Sequence, residues 1–295
     1  MSKMIKYIDI DGMEVDNLYD GLTISTMCAS CKLNTKLDII NIENYLQLNP
    51  NDILTVKRSK DRIRTLLTIK SKPKRVKKIE NNIKQKDTTK NHFYNQITVV
   101  IRIDDGEIKD INKASKINVK LFKNGSVQMS GCKTVNGINI VLNKLIFRLK
   151  EVKAKIENGI INEIAFIEES DKITIKDFKI DMINSNYKLK MQINRNKLYD
   201  LLIKKKIKSS YEPCIRACVI IKYIPKNENN ENKEVSIFVF QKGNILIAGA
   251  RSKSHILSSY DYINNIITTH YDDIIKKNEE IEEQKLLNYA KQFKS

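Results

Sequence analysis

The chain has 295 residues, with 53 Lys plus Arg against 35 Asp plus Glu, three His, five Cys and no Trp. That length allows one to two domains with a substantial core, and 41% hydrophobic with 30% charged residues exclude a disordered chain. A net charge of +18 favours a polyanionic partner, nucleic acid ahead of an anionic membrane surface, over the plainer reading of solubility in a chain rich in Ile, Lys and Asn. No segment approaches the roughly 20 apolar residues of a membrane span. The start lacks the apolar stretch of a signal peptide, and five scattered Cys suit a reducing, intracellular compartment.

In chain order, alternation and apolar spacing predict a strand over Thr23 to Ala29 and a helix near Leu37 to Leu48. A basic block follows. Lys57 to Lys78 holds eleven Lys or Arg and one acid, Asp61, so 22 residues supply +10 of the charge. It contains a strand pattern at Leu66 to Ile69 and reads as a solvated run, a phosphate-binding arm or a localisation signal. Strands are next expected at Gln96 to Ile103 and Ile117 to Leu121, then a hairpin and a helix from Asn136 to Glu157. After a link from Ala154 to Ile175 the pattern returns: strand Phe178 to Ile183, helix Asn196 to Ile203, strand Ala217 to Ile224, loop Pro225 to Lys233, strand Val235 to Val239, hairpin, and helix Ser254 to Lys277.

That return is an internal repeat. Phe122, Gly125, Gly131 and Lys133 are matched by Phe240, Gly243, Gly249 and Arg251, each pair 118 residues apart and each set between a β-rich run and a helical pattern. The expected organisation is an N-terminal segment 1–20, a first repeat 21–158 with a basic insertion at about 51–92, a linker 159–177, a second repeat 178–278 and a charged helical tail 279–295. A helix behind an antiparallel sheet covers one face and leaves the other free. In the first copy Val119, Leu121, Val127 and Met129 belong to the helix side, and Lys120, Phe122, Gln128 and Ser130 to the free side. In the second, Ile237, Val239, Ile245 and Ile247 lie on one side, and Phe238, Phe240, Leu246 and Ala248 on the other. Two-sided apolarity suits a buried strand. With one helix per repeat available as cover, it suits an exposed binding face instead.

Catalytic and metal chemistry find little support. Cys28-Ala-Ser-Cys31 lacks a second ligand pair for zinc, and Cys214 and Cys218 have no ligand beside them. His92, His255 and His270 have no nucleophile partner, the latter two reading as surface residues of a helix, and Asp104-Asp105 reads as a turn. The expectation is a non-enzymatic chain with no cofactor.

The repeat geometry, Ser209-Ser-Tyr-Glu-Pro213, Ile237-Phe-Val-Phe240 leading to Gly249-Ala-Arg251, the opening Phe178-Lys-Ile180 and Asn49-Pro50 together resemble the TATA-box-binding protein family. The likeness runs from about Leu22 to Asp273 around one large insertion and is most similar to the factors of this kind from large DNA viruses. It implies an α+β fold: a pseudo-twofold saddle of two repeats, a curved antiparallel sheet with helices on the convex face. The concave face would sit on the minor groove of double-stranded DNA, with Phe wedges kinking the duplex. Phe122 and Phe240 stand at one wedge position in each repeat. The other falls at Arg216 and near Gln96, with Phe93 or Tyr94 as substitutes, or at Ile53 in a rival alignment.

The resemblance further implies phosphate contacts from Arg102, Lys222, Lys133 and Arg251 and face contacts from Phe238 and Leu246. The family's central Asn pair falls at Thr23 and Met182, its Thr pair at Ser130 and Ala248, and apolar base-contact positions at Lys120, Gln128 and Asn184. These departures point away from TATA specificity, toward binding driven by phosphate charge and deformability. The implied partners are a general transcription factor IIB-like protein and RNA polymerase subunits, with self-association through the concave face when DNA is absent. The implied location is a host nucleus or cytoplasmic viral factory, or the virion. The alternative is an interaction scaffold with the same saddle and weak nonspecific DNA binding. An enzyme would need a carboxylate cluster on the free face, and the positions above contain none.

Overall fold

The computed structural model describes residues 18–59, 61–68, 95–104, 108–157, 160–225 and 233–276. The elements run β1 (Thr23–Lys32), α1 (Ile39–Tyr45), β2 (Ile53–Lys57), β3 (Ile63–Thr65), β4 (Gln96–Arg102), β5 (Lys116–Phe122), β6 (Ser126–Cys132) and α2 (Val135–Leu149). They continue through β7 (Lys153–Glu157), β8 (Ile160–Ile164), β9 (Lys176–Lys188), α3 (Arg195–Lys204), β10 (Ser209–Ser210), β11 (Cys218–Tyr223), β12 (Val235–Phe240), β13 (Asn244–Ala250), α4 (Lys253–Thr269) and α5 (Tyr271–Ile274). Two compact units divide this chain, the first made of residues 29–179 and the second of 18–28 with 180–276 among those described.

In the first unit the strand order is β6-β5-β4-β2-β3, with the end of β1 beside β6; in the second it is β10-β11-β12-β13-β9, with the start of β1 beside β9. These pairings are antiparallel: β2 with β3 and β4, β4 with β5, β5 with β6, and β10 with β11, β11 with β12, β12 with β13, β13 with β9. Period-2 burial follows from the pleat. Val119, Leu121, Val127 and Met129 are buried in the first unit together with Ile138, Val141, Leu142 and Leu145 of α2. Ile237, Val239, Ile245 and Ile247 are buried in the second with Ile256, Ile263 and Ile267 of α4. Both units are therefore α+β layers of antiparallel sheet and helix, the fold class expected.

The repeat extends beyond its hairpin. Thr134 and Ser252, 118 apart, each cap the following helix by accepting from the backbone N–H three residues on. Asp38 and Asn194, 156 apart, do the same for α1 and α3. Leu33 N donates to Gly125 O as Leu189 N donates to Gly243 O. Two offsets mean that the first repeat is longer between its first helix and its hairpin, and the extra length lies mainly between β2 and β4. Gly125 and Gly243 are required at these hairpins. Their φ values are +82° and +77°, and an added Cβ would stand 2.1 Å from Thr35 O in one and 2.5 Å from Leu189 O and Met191 O in the other.

Four expectations are corrected. The helix of the first repeat stops at Leu149, because Lys153–Glu157 turns into β7 and pairs with β8 as a separate hairpin. Arg148 fastens that helix end, donating to Asp52 Oδ2 and Glu151 Oε1. The second long helix stops at Thr269, with α5 as a separate turn. The strand in the basic block is Ile63–Thr65 rather than Leu66 to Ile69. His255 is not a surface residue but 1% exposed, its Nδ1 accepting from Arg251 N. The tail 279–295 and most of segment 1–20 lie outside the described residues.

Candidate nucleic-acid interface

Strand register fixes which side chains share the accessible face. In the second unit Ile220 stands opposite Phe238, Phe238 opposite Leu246 and Leu246 opposite Asn186. A neighbouring row runs Lys222, Ser236, Ala248, Asn184, and Phe240 faces Cys218. Phe238, Phe240, Leu246 and Ala248 are half-buried, so the apolar side left by the helix is open and not the inside of a sandwich. Asn184 and Asn186 end these rows on β9, and Asn186 Oδ1 accepts from the Thr23 hydroxyl at 2.8 Å. Sequence reasoning had no means to place Asn186 here, because β9 meets β13 across more than fifty residues of chain.

The first unit builds the same face from different chemistry. Thr98, Lys120 and Gln128 stand opposite one another in one row, and Val100, Asn118 and Ser130 in the next. Lys120 and Gln128 are exposed, and Phe122 is half-buried opposite Gln96. Position for position at the 118-residue offset, Lys120 replaces Phe238, Gln128 replaces Leu246, Asn118 replaces Ser236 and Ser130 replaces Ala248.

The cations divide. Lys133 and Arg251 are exposed, each one residue ahead of the helix-capping Thr134 or Ser252. Arg216 is exposed in the turn before β11. Lys222 is half-buried, donating to Ser236 Oγ at 2.9 Å and pairing with Glu234 at 3.1 Å. Hydrogen bonds from Lys208 and Lys222 hold the Glu234 carboxyl below its usual range.

Arg102 corrects the expectation of a phosphate contact. It is 3% exposed, and its guanidinium is committed to Asp104 Oδ2, Pro50 O and Ile108 O. Nor is it the counterpart of Lys222: Arg102 stands opposite Lys116, whereas the first-unit residue opposite Asn118 is Val100. Of the wedge alternatives, Ile53 is fully buried, Gln96 faces Phe122, and Phe93 and Tyr94 lie outside the described residues. Thr23 and Met182 are not equivalent either, since the 156-residue offset of this part of the repeat pairs Met182 with Thr26.

The basic block is partly internal. Arg58 pairs with Glu43 at 2.5 Å, and Arg64 donates to the carbonyls of Glu43, Ile42 and Leu46 at the end of α1. Only Arg62, loosely paired with Glu43 at 3.6 Å, extends to solvent among these three arginines. The rest of the block, beyond Thr68, lies outside the described residues.

Cys28 and Cys31, three apart on one strand, take opposite faces; Cys31 is buried, and burial pushes its thiol up to about 12. Among the described residues no cluster of His, Cys, Asp and Glu could hold a metal ion. Among them, too, no helix is long and apolar enough to cross a membrane.

No family model matches the chain. It is 34% identical over 270 residues to a protein of Acanthamoeba polyphaga mimivirus described as TATA-box-binding protein-like, a match that covers 86% of this chain and 67% of that protein. Among solved structures it is similar to the Methanococcus jannaschii TBP, with a TM-score of 0.47 and 16% identity over 84% of this chain and 98% of that one. On its identity to the mimivirus protein over most of both chains, the chain belongs to the TATA-box-binding-protein-like family.

Proposed function

We propose that this chain is a DNA-binding transcription initiation factor that lays the accessible sheet face of each unit against the minor groove of double-stranded DNA. The observation that carries this reading is the half-buried pair Phe238 and Leu246 beside Phe240, on the sheet side the helix leaves uncovered, in a chain of net charge +18. An exposed apolar face needs a partner. The minor groove offers few discriminating hydrogen bonds but much sugar edge, which suits apolar side chains flanked by cations. Phe122 and Phe240 act as wedges that unstack a base step, and Lys133, Arg251 and Lys222 contact phosphates. The bound, kinked duplex then recruits a general transcription factor IIB-like protein and RNA polymerase subunits, in a host nucleus or viral factory. Without DNA, the apolar face of the second unit is the place for self-association.

The test is binding and end-to-end distance of doubly labelled duplexes across a salt series, for the natural chain and for Phe122→Ala/Phe240→Ala. Tight binding with a distance change lost in the double variant is expected. Salt-sensitive binding without any distance change, indifferent to the two Phe, would instead identify a scaffold that touches DNA only through charge.

A further inference from the structure

The accessible faces of the two units differ most at the equivalent positions of their central rows. In the second unit the central row presents Phe238 and Leu246, between the buried Ile220 and the exposed Asn186; in the first it is Thr98, Lys120 and Gln128. Lys120 and Gln128 are exposed in mid-strand, directly across from each other, so both reach the same patch of any ligand laid on that face. The adjacent row adds Asn118, exposed, and Ser130, half-buried.

In the minor groove A·T and T·A present acceptors alone, and G·C adds one donor, the guanine N2 amino group. Over Phe238 and Leu246 that amino group loses water and gains no acceptor, which costs about tenfold or more in affinity. Over the first unit it meets Gln128 Oε1 and Asn118 Oδ1 as acceptors, while Lys120 donates to the purine N3 and pyrimidine O2 atoms.

Resting on the proposed minor-groove reading, we propose that the chain recognises a site of asymmetric composition: A·T pairs over the half contacted by the second unit, and G·C-containing sequence over the half contacted by the first. Lys120 and Gln128 are the specificity-determining residues of that first half. The preference follows from the side chains alone and needs no base-specific loop.

The experiment is selection of bound duplexes from a randomised pool by the full chain. It is followed by affinity measurements on selected duplexes in which each guanine in turn is replaced by inosine, which lacks the N2 amino group and keeps the rest of the minor-groove edge. The expected pool has one A·T-only half and one half holding G·C. Inosine in the G·C half weakens binding about tenfold, and Gln128→Leu/Asn118→Ala removes that sensitivity. Lys120→Phe/Gln128→Leu, which gives the first unit the residues of the second, turns selection to A·T in both halves. These positions are exposed, so the variants keep their cores. A pool with A·T in both halves, or tight binding without compositional bias in either half, overturns the asymmetry and leaves minor-groove binding standing. Inosine without effect in the G·C half overturns the role of the N2 amino group. No binding of any duplex at low salt overturns the DNA reading itself.

Discussion

Gly125 and Gly243 show how much a single backbone position can decide. Each takes φ near +80° at a hairpin that packs against the chain leaving β1 or β9, with carbonyl oxygens where a Cβ would have to sit. Gly21 has a similar φ of +79° with nothing within 4 Å of the added carbon. Gly21→Ala is therefore expected to cost only the left-handed backbone strain, about 1 kcal/mol. Gly125→Ala and Gly243→Ala add a backbone clash and should cost about 3 kcal/mol or more. Urea midpoints of the three variants check this ordering; equal shifts would mean that the close approach is not what demands glycine. Arg102 and Arg64 teach the complementary point at this scale. A cation in a strongly basic chain is not thereby a phosphate ligand, because both spend their guanidinium donors on carbonyl groups of their own unit.

At the scale of elements, the four longest helices among the described residues begin on a short polar side chain that accepts from the N–H three residues ahead: Asp38, Thr134, Asn194 and Ser252. Because the caps recur at fixed offsets, their removal should be felt alike in both repeats. Thr134→Ala and Ser252→Ala are each expected to lower stability by about 1 kcal/mol, and Thr134→Ser by much less. Thermal or chemical unfolding of the three variants provides the comparison, and a neutral Ser252→Ala would show that α4 is held by its buried Ile256, Ile263 and Ile267 alone. The β7–β8 hairpin stands apart from this logic. It belongs to no repeat position and carries Ile156 and Ile161, 72% and 66% exposed, directly opposite each other. The helical pattern read through this region failed because Lys-Ala-Lys-Ile-Glu alternates with period 2 and a strand partner lies just beyond it in the chain.

For the molecule as a whole, charge sets the strength and salt dependence of any encounter with DNA, and the placement of each cation decides which of them count. Each phosphate contact contributes about one to the slope of log affinity against log salt. Lys133→Ala/Arg251→Ala should lower that slope by about two, whereas Arg102→Ala should leave it unchanged while destabilising the fold. A slope that falls equally in both variants would return Arg102 to the surface, against its burial.

The division between what could be read early and what could not follows from the range of the forces involved. Alternation along Val119, Leu121, Val127 and Met129, the Phe and Gly positions spaced 118 apart, and the helices starting near Asn136 and Ser254 are set by neighbours within a turn or a hairpin, so the amino-acid sequence by itself determined the repeat, the sheet-and-helix layers and the face each strand turns to the helix. Partners distant in the chain were decided by the tertiary structure. It turned Arg102 inward onto the Pro50 carbonyl, buried His255, spent Arg58 and Arg64 on α1, aligned Asn186 with Leu246, and set the second offset of 156 that removes the equivalence of Thr23 and Met182. Charge, desolvation and strand register act between residues whose separation only the folded chain defines, and no local period records them.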